Sequence, residues 1–223
     1  MRSAFLLPAL AIAVAAPVAG FAAKPVDWAR RVTLSPTGGH LLGNPAAKTK
    51  VVEYVSYTCS HCAEFVKEGT PPLTARVRTG QLNVEVRNAV RDPFDLTAAL
   101  LARCGGKDRF MGNHDALFAN FDAWMAVLPS YTPPSPPLAD RPAEFRDIAQ
   151  KTGLYTLMGK RGFTSAQLDA CLADPASLKQ ILAMTDDAWN TAKIGGTPGL
   201  FVNGTQVKGG WPQLQAALPA SPK

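Results

Sequence analysis

The chain has 223 residues, with 23 Lys and Arg against 17 Asp and Glu, a formal charge of +6. The basic residues are scattered and form no block, so the excess is ordinary surface charge, and no nucleic-acid partner is expected. Beyond the first 23 residues no apolar run approaches the about 20 residues that a membrane helix needs, and the remainder fits one domain, or one domain with a large insertion.

Residues 1–23 read as a signal peptide. Arg2 supplies the positive end, an alanine-rich apolar run broken by Pro8 and Pro17 follows, and Val18-Ala19-Gly20 and Ala22-Ala23 offer small residues for cleavage. No Cys lies in this stretch to take a lipid, and an uncleaved anchor is the alternative. Export makes the expected location periplasmic, an oxidising compartment in which disulfides persist.

Residues 24–93 are expected to form the first of three segments. A lead-in over 24–49 holds Val32-Thr33-Leu34 and a turn at Gly43-Asn44-Pro45. Residues 50–57 predict a buried strand, because Val51-Val52-Glu53-Tyr54-Val55 is β-branched and aromatic. A helix follows, which Gly69 and the Pro71-Pro72 pair are expected to interrupt. Leu82 to Val90 alternates as a second strand.

Residues 94–193 change character. Phe110, His114, Leu117, Phe118 and Phe121, and later Leu178, Ile181, Leu182 and Trp189, recur at helical spacing. The proline-rich loop 129–137 cannot continue a helix and reads as a surface linker. Residues 194–223 return to strand character: Leu200-Phe201-Val202 and Thr205-Gln206-Val207 flank Asn203-Gly204, a strong hairpin signal. A last helix starts near Pro212.

Cys59-Ser60-His61-Cys62 stands between the first strand and its helix. That places the Cys59 sulfur at a helix N-terminus, where unpaired N–H groups and the helix dipole favour a thiolate. The thiolate is the attacking form in thiol–disulfide exchange, so the pair reads as a redox site. Haem attachment would need His at position 63, which is Ala. Zinc would need a second ligand cluster, and Cys104, Cys171 and His114 do not form one, so no metal site is assigned. Cys104 and Cys171, 67 positions apart in the helical block, are either a second redox pair or a staple. The staple is favoured, because two free thiols are a liability in an oxidising compartment.

The element order and the Cys59-Ser60-His61-Cys62 motif, with Gly196-Thr197-Pro198, resemble the DsbA-like thiol–disulfide oxidoreductases over roughly residues 40–218. The resemblance implies an α/β thioredoxin fold with a helical insertion between its βαβ and ββα halves. It makes Cys59 the exposed nucleophile, Cys62 the buried resolving cysteine and His61 the histidine between them. Pro198 matches the family's cis-proline, preceded by Thr197. Glu53, six residues before Cys59, matches a buried acid beneath the cysteines. Ser60 departs from the Pro of the best-known oxidases; Ser60, Thr197 and Pro198 are the expected substrate contacts.

These residues have physical uses. An imidazolium at His61 stabilises the Cys59 thiolate, and a stabilised thiolate makes the disulfide more oxidising. A buried Glu53 has a raised pKa and can accept the proton of Cys62. Pro198 would turn the Thr197 backbone outward to pair with an extended peptide.

The expected activity is donation of the Cys59–Cys62 disulfide to reduced or unfolded exported proteins, by a monomer that needs no bound cofactor. By resemblance, a quinone-linked membrane partner restores the disulfide. The alternatives are an isomerase or reductase kept reduced by a membrane partner, and a periplasmic metal carrier using Cys59, His61 and Cys62. Related isomerases carry an N-terminal dimerisation domain, for which the about 27 residues between signal and first catalytic strand leave too little chain. Thr197 argues the other way, being common before the proline of isomerases.

Overall fold

A computed structural model describes residues 26–220, so the expected signal peptide lies outside the described residues. After a 3₁₀ turn at Trp28–Arg30 come β1 (Val32–Leu34), β2 (His40–Gly43) and β3 (Thr49–Val55). Helix α1 (Ser60–Arg78) and β4 (Leu82–Asn88) complete the first half. The helical block follows, with α2 (Pro93–Ala102), α3 (Lys107–Ala119), α4 (Phe121–Met125), α5 (Arg141–Lys151), α6 (Leu154–Lys160), α7 (Ser165–Leu172) and α8 (Pro175–Asp186). A π-helical turn at Asp187–Thr191 leads to β5 (Gly199–Val202), β6 (Thr205–Val207) and α9 (Trp211–Ala217).

The strands form one sheet in the order β1-β2-β4-β3-β5-β6. β3 runs parallel to β4 and antiparallel to β5, so the catalytic strand is central, and both its faces are covered. Val51 and Val55 face the main core with α1, while Tyr54 packs with Ala89, Ala188 and Ile194 on the other side. Burial on two faces explains why β3 is mostly β-branched and aromatic around Glu53. On the Tyr54 side its hydroxyl donates to Asp187 Oδ2 at 2.5 Å, and Arg87 Nη1 donates to that same carboxylate oxygen at 3.2 Å. This pair of bonds pins the π turn to the sheet.

Two expectations change. The lead-in over 24–49 contains a β1–β2 hairpin that extends the sheet beyond β4; strands of three and four residues are too short to show alternation. Helix α1 is not interrupted but continues through Gly69, Pro71 and Pro72 for 19 residues. Proline's φ is helical, and the ladder loses only the bonds to the carbonyls of the exposed residues Lys67 and Glu68. Cys62, Phe65, Val66, Gly69, Leu73 and Val77 keep a buried stripe through the break. A Cβ on Gly69 would meet Trp211 Cε3 at 3.0 Å, so glycine there lets α9 approach.

The Asn203-Gly204 turn has φ of 49° and 81°, the pattern of a type I′ hairpin. Asn203 also anchors the hairpin to the catalytic strand, its side chain accepting from Lys50 N at 2.8 Å and its N–H donating to Lys50 O at 2.8 Å. In the insertion, Cys104 and Cys171 are joined by a disulfide, with Cα atoms 5.5 Å apart, linking the end of α2 to α7. Tyr131 of the proline-rich loop packs edge-on against Phe94 and donates to Asp147 at 2.8 Å, which fastens the loop to α2 and α5.

Candidate active site

Cys59 is the N-cap of α1, in an extended conformation. Its carbonyl accepts from the N–H groups of Cys62 and Ala63, both at 3.1 Å, as the helix begins. Both active-site cysteines are free thiols. The two are pushed in opposite directions. Cys59 is lowered to about 5, first by the Cys62 thiol that donates to it, then by the Thr197 side chain, the Cys62 N–H and the Arg91 guanidinium, against the opposing effect of burial. Cys62 is raised well above its ordinary value by burial, by its bond to Cys59 and by the charge of Cys59.

Cys59 is not the exposed group that was expected. It is only 4% exposed, because the Thr197 carbonyl accepts from its thiol at 3.2 Å and covers it. Ser60 and His61, immediately after it, are exposed. Cys62, Thr197 and Arg91 hold the Cys59 thiol down. His61 lines the groove beside Thr197, Pro198 and Trp211. The Thr197–Pro198 peptide bond is cis.

Ser60 and the cis-proline loop do not share a groove. His61, Thr197 and Pro198 line one of about 890 Å³ that runs to α9. Ser60 lines another of about 1000 Å³ between α1 and α3–α4.

Glu53 is 3% exposed in the middle of β3, on the side of Val51 and Val55. Burial, with help from the charge of Asp115, raises its carboxyl to about 8. Its charge is in turn among the influences that raise Cys62. Its Oε1 has no hydrogen-bond partner among the described residues.

A brace around the cysteines was not foreseen. Arg91 donates from Nε to Ser56 Oγ at 2.9 Å and from Nη2 to Thr58 Oγ1 at 3.2 Å. Thr58 Oγ1 donates to Asp92 Oδ2 at 2.6 Å. The buried Asp95 accepts from Tyr57 N at 2.7 Å and from Arg91 N at 3.0 Å. These bonds fix the Ser56–Thr58 turn that delivers Cys59. Asp92-Pro93 carries a helix-start signal for α2, but no local pattern marks Arg91 or Asp95 as partners of the turn. Among the described residues, no three His, Cys, Asp or Glu side chains gather where they could hold a metal ion, and no helix is long and apolar enough to cross a membrane.

A reactive cysteine at a helix start, a buried partner one turn in and a cis-proline across from them define a thioredoxin-type redox centre. The chain belongs to the thioredoxin family, whose family model, described as thioredoxin, matches residues 35–220. Its fold is the thioredoxin one with a helical insertion, as in solved DsbA-like structures. It is similar to a solved protein-disulfide isomerase from Novosphingobium aromaticivorans, 37% identical, with a TM-score of 0.75, covering 81% of this chain and 95% of that one. A curated relative in Rickettsia bellii, named "Putative protein-disulfide oxidoreductase", is 30% identical over 170 residues, 75% of this chain. The chain spans 58% of the length of that relative. The alpha-DsbA1 of Wolbachia pipientis shares the fold, at 22% identity and a TM-score of 0.65 over 82% of this chain and 90% of that one.

Proposed function

We propose that the protein is a periplasmic thiol–disulfide oxidoreductase that donates the Cys59–Cys62 disulfide to reduced or unfolded exported proteins. The observation that carries this reading is the opposed shift of the two thiols, Cys59 down to about 5 and Cys62 well up. A substrate thiolate attacks Cys59 Sγ and forms a mixed disulfide. The Cys59–Cys62 bond breaks, its electron pair goes to Cys62, and Glu53 supplies the proton that Cys62 takes up. The substrate's second thiolate then attacks its own sulfur in the mixed disulfide. Cys59 leaves as a thiolate, with the substrate oxidised and the enzyme reduced by two electrons.

Because Cys59 is stable as a thiolate, the reduced enzyme is favoured and the disulfide is readily given away. His61, exposed in the same groove as Thr197 and Pro198, is placed to meet a bound substrate. The Thr197 backbone offers an edge to an extended substrate in that groove. A quinone-linked membrane protein is the proposed reoxidant, and the working unit is a monomer. A metal-carrier role has less support, since Cys59, His61 and Cys62 do not gather as a ligand set.

An isomerase is the second reading, favoured by the name of the 37% identical Novosphingobium protein. The reduction potential of Cys59–Cys62 against glutathione, with parallel assays on a reduced unfolded protein and a scrambled one, separates the two. An oxidising potential with fast oxidation supports donation. A strongly reducing potential with fast rescue of the scrambled protein reverses it.

A further inference from the structure

The buried carboxyl of Glu53 lines a cavity of about 30 Å³, shared with Thr70 and Thr74 of α1 and His114 and Asp115 of α3. That space admits a water, and its walls offer the several polar partners a buried water needs. The unpartnered Oε1 of Glu53 supplies one of them. Thr70, Thr74 and Asp115 also line the open groove between α1 and α3–α4. The same three residues therefore bound both the inner cavity and the outer groove, and Asp115 itself is exposed.

We propose that Asp115 is the outer carboxyl of a proton path, passing protons between the groove and Glu53 through a water held at this neck. This rests on the reading that Glu53 handles the proton of Cys62. When substrate thiolate breaks the Cys59–Cys62 bond, the Glu53 carboxyl gives its proton to the Cys62 sulfur. The Glu53 carboxylate then takes a proton from the water, which is replenished from Asp115 and the groove. Reoxidation runs the proton outward by the same atoms. The electrons pass only between the substrate thiols, the cysteine pair and the oxidant that renews it.

The neighbouring charges fit this assignment. Glu53 is faced by Cys62 from α1, Tyr57 from the turn before it, and His114 and Asp115 from α3. His114 is buried, pushed down to about 4, and its Nδ1 meets the Tyr57 hydroxyl at 3.1 Å, so it stays neutral and is not the carrier at neutral pH. Partial burial raises the Asp115 carboxyl, against the charge of Arg161 beyond α6, and Asp115 shares its groove with Glu64, Lys67, Glu68 and Arg78 of α1. A carboxylate at Asp115 helps keep the proton on Glu53.

The test follows the pH profile, from about pH 5 to 10, of the reaction between the oxidised full-length protein and a reduced single-thiol peptide. The parent, Asp115→Asn, Asp115→Glu and Glu53→Gln are compared. Asp115→Asn is expected to move the Glu53-dependent inflection to lower pH and to slow the reaction several-fold above it, while Asp115→Glu restores the parent profile. Glu53→Gln removes the inflection. If Glu53→Gln changes the profile and Asp115→Asn leaves it on the parent curve, Asp115 has no part in the path. If neither variant changes it, the role of Glu53 fails and this inference with it.

Discussion

The main-chain carbonyl of Thr197 accepts the Cys59 thiol at 3.2 Å, so the residue before Pro198 roofs the sulfur at the head of α1. The reactive sulfur is low in pKa, chiefly through the Cys62 thiol that donates to it, yet it is covered, and attack requires a partner that takes the place of the roof. The Cys62 sulfur, wholly buried and raised, stays protonated beneath it. In the reduced protein Cys59 is expected to alkylate well ahead of Cys62, and faster with small reagents than with bulky ones. Cys62→Ser accumulates mixed disulfides with substrates, and Cys59→Ser is inert. Peptide mapping after brief alkylation checks the order; faster labelling of Cys62 would contradict it.

Thiolate absorbance of the reduced protein is expected to titrate near pH 5, the value to which Cys59 is lowered. Arg91→Leu removes a cation and two hydrogen bonds to the turn before Cys59. It raises the Cys59 pKa by less than about one unit, since an exposed arginine is screened by solvent and salt. A larger shift would mean that the Ser56–Thr58 turn itself has moved.

Glu53 gives stability a definite pH slope. Its folded pKa, about 8, lies above the ordinary 4.5, so the folded state holds a proton that the unfolded chain releases between those values. Stability from this group is complete below pH 4.5, falls as pH rises and is lost above pH 8. Glu53→Gln flattens that slope and gains on the parent toward pH 8, by on the order of a few kcal/mol. Urea unfolding of both proteins across this range measures it; parallel curves would place the Glu53 pKa near that of an ordinary carboxyl.

The Cys104–Cys171 bond closes a loop across a sequence separation of 67. In the chain-entropy account such a bridge contributes on the order of 4 kcal/mol. The double Ser variant is expected to melt at lower temperature and still oxidise thiols. Loss of activity in a folded double variant would turn the staple into a second redox centre.

The parts of this molecule visible in its sequence are those set by local pattern. β3 showed as a β-branched and aromatic segment because both its faces are covered, and the hairpin showed because Asn203 and Gly204 supply the two positive φ angles it needs. The Cys59–Cys62 spacing announced the chemistry. The β1–β2 hairpin stayed hidden because its strands are too short for alternation. Pro71 and Pro72 misled because the buried stripe of α1 outweighs two missing bonds. The roof over Cys59, the brace from Arg91 and Asp95, and the approach of Asp115 to Glu53 all join residues far apart in the chain, and no local signal encodes them.

The roof and the sulfur it covers are separated by 138 positions. As the chain is made, Cys59 and Cys62 emerge well before the segment that shields them. Contacts of such sequence separation form late, since a long loop must close before they give any return. Until β5 docks on β3, the cysteine pair is a bare dithiol on an unfinished sheet, open to Cys104 and to any other thiol nearby. Its own maturation therefore depends on the order in which its cysteines find partners, the same problem it is proposed to solve for other chains.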